Sequence, residues 1–195
     1  MSGRVAGVLA MAMAAALSGG CVSQVPMTLS ESFSNPEAHP LRLAKGTPPC
    51  GFIVSHIADT RTEPTLLGTV TGRPVRAPED VNVWLRNVLS GLESRGVSPH
   101  FDVNPTHETS PLVADMTLRM AWVSEIHTSK TATTLLHMKL SRGEKVVTER
   151  DYRGSDTVMN WSAGDGELQR MVDRAFGSAL DQIAGDVRTA CRSPN

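Results

Sequence analysis

MTLRMAWVSEIHTSKTATTLLHMKLSRGEKVVTERDY, residues 116–152, decides the fold. Met116, Leu118, Met120 and Trp122 alternate with Thr117, Arg119 and Ala121, the period of a strand with one buried face. The alternation resumes from Thr131 to Leu140, with Ala132, Thr134, Leu136, Met138 and Leu140 on one side and His137 and Lys139 on the other. Ser141-Arg142-Gly143-Glu144 makes a tight turn, and Lys145 to Tyr152 returns as a third strand. Three successive strands joined by short turns predict an antiparallel meander.

Two amphipathic helices flank it. Downstream, Leu168, Met171, Val172, Ala175, Phe176, Ala179, Leu180, Ile183, Ala184 and Val187 form one apolar stripe that Cys191 extends, with Ser162 or Asp165 available as a cap. Upstream, EDVNVWLRNVLSGLESRG from Glu79 places Val81, Leu85, Val88, Leu89 and Leu92 on one face. Pro78 and Glu79-Asp80 start that helix and Gly96 stops it. Trp84 flanks the stripe, where core packing is preferred over a ligand or membrane contact. Before it, the apolar run Gly51–Ala58 suits a buried strand, and Thr62–Pro78, rich in Gly and Pro, reads as a hairpin or irregular lobe. Val97–Leu112 reads as a broken strand and a loop. Helices that are apolar on one side belong on one face of the sheet. The expected fold class is therefore α+β, a two-layer α/β sandwich with a mostly antiparallel sheet and both helices on the same face.

The N-terminus gives an address. Arg4 precedes a thirteen-residue apolar stretch, Val5 to Leu17, then Ser18-Gly19-Gly20 and Cys21, the order of a secretory signal peptide. The stretch is shorter than the ~20 residues needed to span a bilayer. A cysteine directly after small residues suits cleavage with acylation, palmitate among the chains, making Cys21 a membrane anchor. Ser18 stands where a lipobox usually has Leu, and ordinary secretion after Ala14-Ala15-Ala16 as a soluble periplasmic protein is the alternative. Val22 rather than Asp after the cysteine favours the outer membrane. Residues 22–49, with five prolines and several serines, read as a flexible tether of roughly 30 Å, or as an arm packed on the domain through Leu41 and Leu43. The expected organisation is a signal peptide (1–20), a lipidated N-terminus and tether (21–49) and one periplasmic domain (50–192).

The chain carries three cysteines. Acylation of Cys21 leaves Cys50 and Cys191, which an oxidising compartment would pair as a disulfide; two buried thiols that never meet are the alternative. Without residues 1–20, 18 basic residues face 20 acidic ones, a balance with no electrostatic footprint for nucleic acid.

Ala58-Asp59-Thr60-Arg61-Thr62 closing the first strand, Trp84-Leu85-Arg86-Asn87-Val88-Leu89 running to Arg95-Gly96, and the meander followed by an amphipathic helix make residues 50–188 resemble the YajG-type bacterial lipoproteins. The resemblance implies an envelope lipoprotein of unassigned activity. Similar lipidated α/β domains serve as auxiliary subunits of envelope lipid transport, a likeness of fold.

No nucleophile elbow, metalloprotease helix, phosphate loop or dinucleotide fingerprint is present in the sequence. None of the six histidines has helical metal spacing to another. His56 reads as a core or rim residue of its strand. His100, Asp102, His107 and Glu108 share a Pro-rich segment that reads as a solvated loop rather than a metal site. The methionines Met116, Met120, Met138 and Met171 fall on expected core faces. Asp59 and Arg61 are the candidate interaction loop, since strand ends carry function in α/β domains, with an ion pair that pins the next loop as the structural alternative. The expectation is a non-enzymatic accessory or binding module, without cofactor or metal, whose partners are the lipid bilayer through Cys21 and an envelope protein or glycan. The alternative is a carrier for lipid or another apolar ligand held between helices and sheet.

Overall fold

The computed structural model describes residues 25–34, 50–101, 112–159 and 164–193. Its strands are β1 (Met27–Thr28), β2 (Cys50–Asp59), β3 (Leu66–Val70), β4 (Arg73–Arg76), β5 (Val97–His100), β6 (Leu112–Ile126), β7 (Ser129–Arg142) and β8 (Lys145–Met159). Helix α1 (Val81–Ser90) and a 3-10 turn (Glu93–Arg95) precede β5, and α2 (Asp165–Arg192) closes the chain.

The meander forms as the alternation predicts, β6 pairing antiparallel with β7 and β7 with β8 along nearly their whole lengths. On the other side of β6 the sheet becomes parallel: β2 pairs with its first half and β3 touches it at Gly68 opposite Val123. β5 adds parallel to β2, and β1 adds parallel to β4 of the β3–β4 hairpin. The result is one open, mostly antiparallel sheet of eight strands, covered on one face by the two helices. The outer edge of β8 carries Glu149, Arg150, Asp151 and Arg153, charges that discourage another strand from pairing there.

The helices form for local reasons. Asp80 caps α1, its Oδ1 accepting from Asn82 N at 2.9 Å and Val83 N at 3.0 Å. The helix ends at Ser90, and the Gly96 expected to stop it instead ends the 3-10 turn, in the left-handed conformation at φ 74°. Gly164 begins α2 without a side-chain cap, so Asp165 opens the helix rather than capping it, and Ser162 lies outside the described residues. Trp84 packs in the core, edge-on to Phe176 with ring centroids 5.1 Å apart. Arg95, itself buried, ties the helices together through Asp181 (2.6 Å) and the carbonyls of Gly91 and Gly177.

Cys50 and Cys191 are bonded, joining the start of β2 to the last turn of α2 across a Cα separation of 6.1 Å.

Two further expectations change. Met120 and Trp122 do not face the core: a bulge between Leu118 and Met120 inserts Arg119 as an extra residue, after which Ala121 and Val123 point inward. The tether reading fails for residues 25–34. Met27 and Leu29 are buried, β1 pairs with β4, Leu29 N donates to Arg76 O, and Ser30 N and Ser34 N donate to Gln169 Oε1 and Asp173 Oδ2 of α2. Leu41 and Leu43 lie outside the described residues.

Asp173 is buried under this arm. Burial pushes its carboxyl up from 3.8 to about 6, although Gln169 Nε2 and Ser34 N both donate to it. Between those values the folded protein holds a proton that the unfolded chain has lost, so this group stabilises the fold fully below pH 3.8 and the gain is lost as pH rises through 6. Urea unfolding at pH 7 and at pH 5, with Asp173→Asn as the non-titrating reference, is expected to show the native protein gaining about 1.3 kcal/mol on the variant at the lower pH. A difference that is flat with pH would contradict it.

Candidate functional site

β2 delivers Asp59 and Arg61 to its end, as expected for a strand terminus, and the two bind each other. Arg61 Nε and Nη2 reach the Asp59 carboxylate at 2.9 and 2.7 Å, a bidentate pair, and Arg61 N donates to Asp59 Oδ1 at 3.1 Å. Nη2 also donates to Pro64 O at 2.7 Å, drawing the loop back on itself. Thr60 stitches the same loop to β6, its N and Oγ1 both donating to Leu118 O, immediately before the bulge. The pair thus pins the loop, the structural alternative read from the sequence. It also leaves one donor over: Arg61 Nη1 is buried without a hydrogen-bond partner among the described residues.

Beside it lies a depression of about 280 Å³ on the open face of the sheet, lined by Arg61, Leu66, Arg119, Met120, Ala121 and Trp122 among others. The bulge in β6 creates it by turning Arg119, Met120 and Trp122 outward together. Met120 is 39% and Trp122 46% exposed. Gly68 lets β3 approach closely here: its φ is +125°, and a Cβ would sit 1.9 Å from Val123 O and 3.4 Å from the Trp122 ring. Next to the depression, Arg119 binds Asp151 at 2.7 Å, and His137 Nδ1 lies 2.9 Å from the same carboxylate. The shelf therefore joins an apolar floor with an aromatic ring to a rim of Glu63 and two arginines, each arginine paired with a carboxylate.

Its chemistry follows from those pairings. Asp59 already neutralises Arg61, so this side of the shelf suits a neutral group, such as a peptide or a sugar, better than a second carboxylate. Trp122 offers a flat apolar surface with an indole N–H, suited to a peptide side chain or a sugar ring.

Asp59 and Arg61 were legible as a strand-end loop, whereas Met120 and Trp122 were not. Their signal is that residues 120–123 are apolar at both parities, which an unbroken strand with one wet face does not need. His56 is exposed on β2. Asp102, His107 and Glu108 lie outside the described residues, as does Cys21, and no group of three or more metal-ligating side chains occurs among the described residues. No described helix is long and apolar enough to cross a membrane.

No family model matches the chain, and no curated protein matches it. Solved structures do. Protein XCC0632 from Xanthomonas campestris, of family DUF330, has a TM-score of 0.51 and 12% identity over 87% of this chain and 100% of its own. Protein CT253 from Chlamydia trachomatis has 0.45 and 9% over 71% and 98%, and a minor lipoprotein from Acinetobacter baumannii 0.40 and 10% over 70% and 94%. At such identities, what the chain shares with the Xanthomonas protein is the fold.

Proposed function

We propose that this chain is a lipoprotein of the bacterial envelope, acylated on Cys21 at the periplasmic face of the outer membrane, and a non-enzymatic accessory module that binds another envelope protein or a glycan on its open sheet face. The observation that carries the binding role is the shelf itself, where an exposed Trp122 and Met120 lie beside the pinned Arg61. The leader ending in Cys21, Val22 behind it, and the residues that resemble YajG-type lipoproteins support the address. The space between helices and sheet is filled by Trp84, Phe176, Tyr152 and their neighbours, so the packing gives no support to a carrier with its ligand between the layers.

A photo-crosslinking residue at position 122, compared with one at the exposed position 145 in producing cells, tests the binding reading. Capture from 122 alone, lost in Arg61→Ala, is the expected outcome; equal capture from both positions would sink it. Once the partner is in hand, Trp122→Ala is expected to cost about 2 kcal/mol of binding, roughly thirtyfold in Kd. Incorporation of labelled palmitate, abolished in Cys21→Ala, tests the address separately.

A further inference from the structure

The polarity of β1 shows which end of the domain the anchor reaches. β1 runs parallel to β4, with Met27 opposite Val75, so the chain enters β1 from the tip of the β3–β4 hairpin at Thr71-Gly72. Arg73 Nε donates to Val25 O at 3.0 Å and holds the incoming chain there. The β6–β7 turn reaches the same end, as does the last residue of β8, because Ile126 pairs with Ser129 and Ser129 with Met159. Thr71 N bonds to Glu125 Oε2 and Arg73 lies 3.9 Å from Asp165 at the start of α2, so hairpin, turn and helix start share one end.

This end collects the bare apolar side chains. Met159 is 81% exposed, Val25 73% and Ile126 70%, while every other large exposed hydrophobic of the described residues is less than half exposed. The three come from three different segments, and no helix or strand pattern asks for them: Ile126 and Met159 end their strands and Val25 precedes β1 by two residues. The charges here are engaged at home, Arg73 with Asp165, Glu125 with Thr71 N, and Lys130 with Glu167 at 3.7 Å. The end is apolar at its points and has no strong charge of its own to offer.

Only three residues, Val22, Ser23 and Gln24, separate Val25 from Cys21, a reach of at most about 14 Å from Cα to Cα even when fully extended. Acyl chains on Cys21 lie in the hydrocarbon, so this end cannot stand far from the headgroups. We infer that this end of the domain is a membrane-docking surface, with Val25, Ile126 and Met159 seated at the boundary between headgroups and acyl chains of the bilayer that holds Cys21. The inference rests on the acylation proposed above. Apolar contact rather than charge drives the seating, so it requires no anionic lipid. It stands the molecule upright: α2, about 42 Å long, rises from the membrane and carries the Cys50–Cys191 bond at its far end.

The test uses the full, acylated protein in phosphatidylcholine vesicles, with single cysteines at Val25, Ile126, Met159 and, as the far-end control, Lys145, each carrying a nitroxide. Cys21 is acylated and Cys50 and Cys191 are bonded, so only the introduced thiol reacts. The ratio of collisions with oxygen to collisions with a water-soluble nickel complex is expected to be several-fold higher at 25, 126 and 159 than at 145. Flotation with the vesicles, lost in Cys21→Ser, reports the anchor independently. Flotation with all four labels equally open to nickel leaves the anchor standing and overturns the docking surface. Labels at 126 and 159 shielded from both reagents would mean that protein covers this end, which also overturns it. Failure of the unaltered protein to float overturns the anchor and this inference together.

Discussion

Replacing Cys50 and Cys191 together with Ser, or reducing their bond, is expected to cost about 5 kcal/mol of stability. The bond closes a loop with a sequence separation of 141 residues, and in the chain-entropy picture the stabilisation grows with the logarithm of that length. It ties the start of β2, which enters the middle of the sheet, to the last turn of the helix that covers the meander. For a domain of this size the loss corresponds to a fall in Tm of roughly 10–20 °C. Guanidinium unfolding with and without reductant measures it, with alkylation and intact mass confirming that two thiols appear only after reduction. Superimposable unfolding curves would show that neither the unfolded chain nor the native packing depends on the bond.

Gly154→Ala is expected to destabilise the fold by about 3 kcal/mol or more. A Cβ at that position would sit 1.8 Å from Ala175 O, 2.8 Å from Ala175 C and 3.0 Å from Ala179 N. All three are backbone atoms of α2, so no side chain can swing aside, and the helix must lift from β8. Lifting it disturbs Phe176, Ala179 and the Trp84–Phe176 contact below. Gly185→Ala on the same helix supplies the opposite sign: nothing lies within 4 Å of its Cβ, and Ala is worth up to about 1 kcal/mol over Gly in a helix interior. Urea unfolding of the two variants side by side separates a steric cause from a general intolerance of α2. A loss below 1 kcal/mol in Gly154→Ala would mean that the sheet and helix are not packed as closely as described.

Gly154 also shows why the sequence underestimates β8. The alternation fades after Tyr152 because the next inward position is a glycine, which contributes no apolar side chain. Yet the strand runs on to Met159, and the missing side chain is what admits α2. Elements whose burial follows a simple period, β7 and α2 above all, could be read directly. The bulge at Arg119 could not, since one inserted residue reverses every later assignment on β6, and the binding shelf is a product of that reversal. The N-terminal arm was hidden for another reason. Met27, Leu29 and Phe33 alternate weakly among Ser and Pro, and their burial depends on β4 and α2, elements that begin 46 and 138 residues after Met27. Asp59 and Arg61 stood out by position alone; that they would chelate each other and leave Nη1 over was a matter of three-dimensional placement.

The docked arm sets a length. With residues 25–34 held against β4 and α2, the domain is joined to Cys21 by the three residues 22–24, about 14 Å from Cα to Cα at full stretch. Released, the same chain offers all 28 residues from 22 to 49, roughly 100 Å from Cα to Cα before the lock at Cys50 is reached. The few bonds around Met27, Ser30 and Ser34 thus govern a roughly sevenfold change in working radius. With Cys21 acylated as proposed, a pull from the membrane would act along β1, in the direction of its parallel pairing with β4, and the arm would resist it by shear.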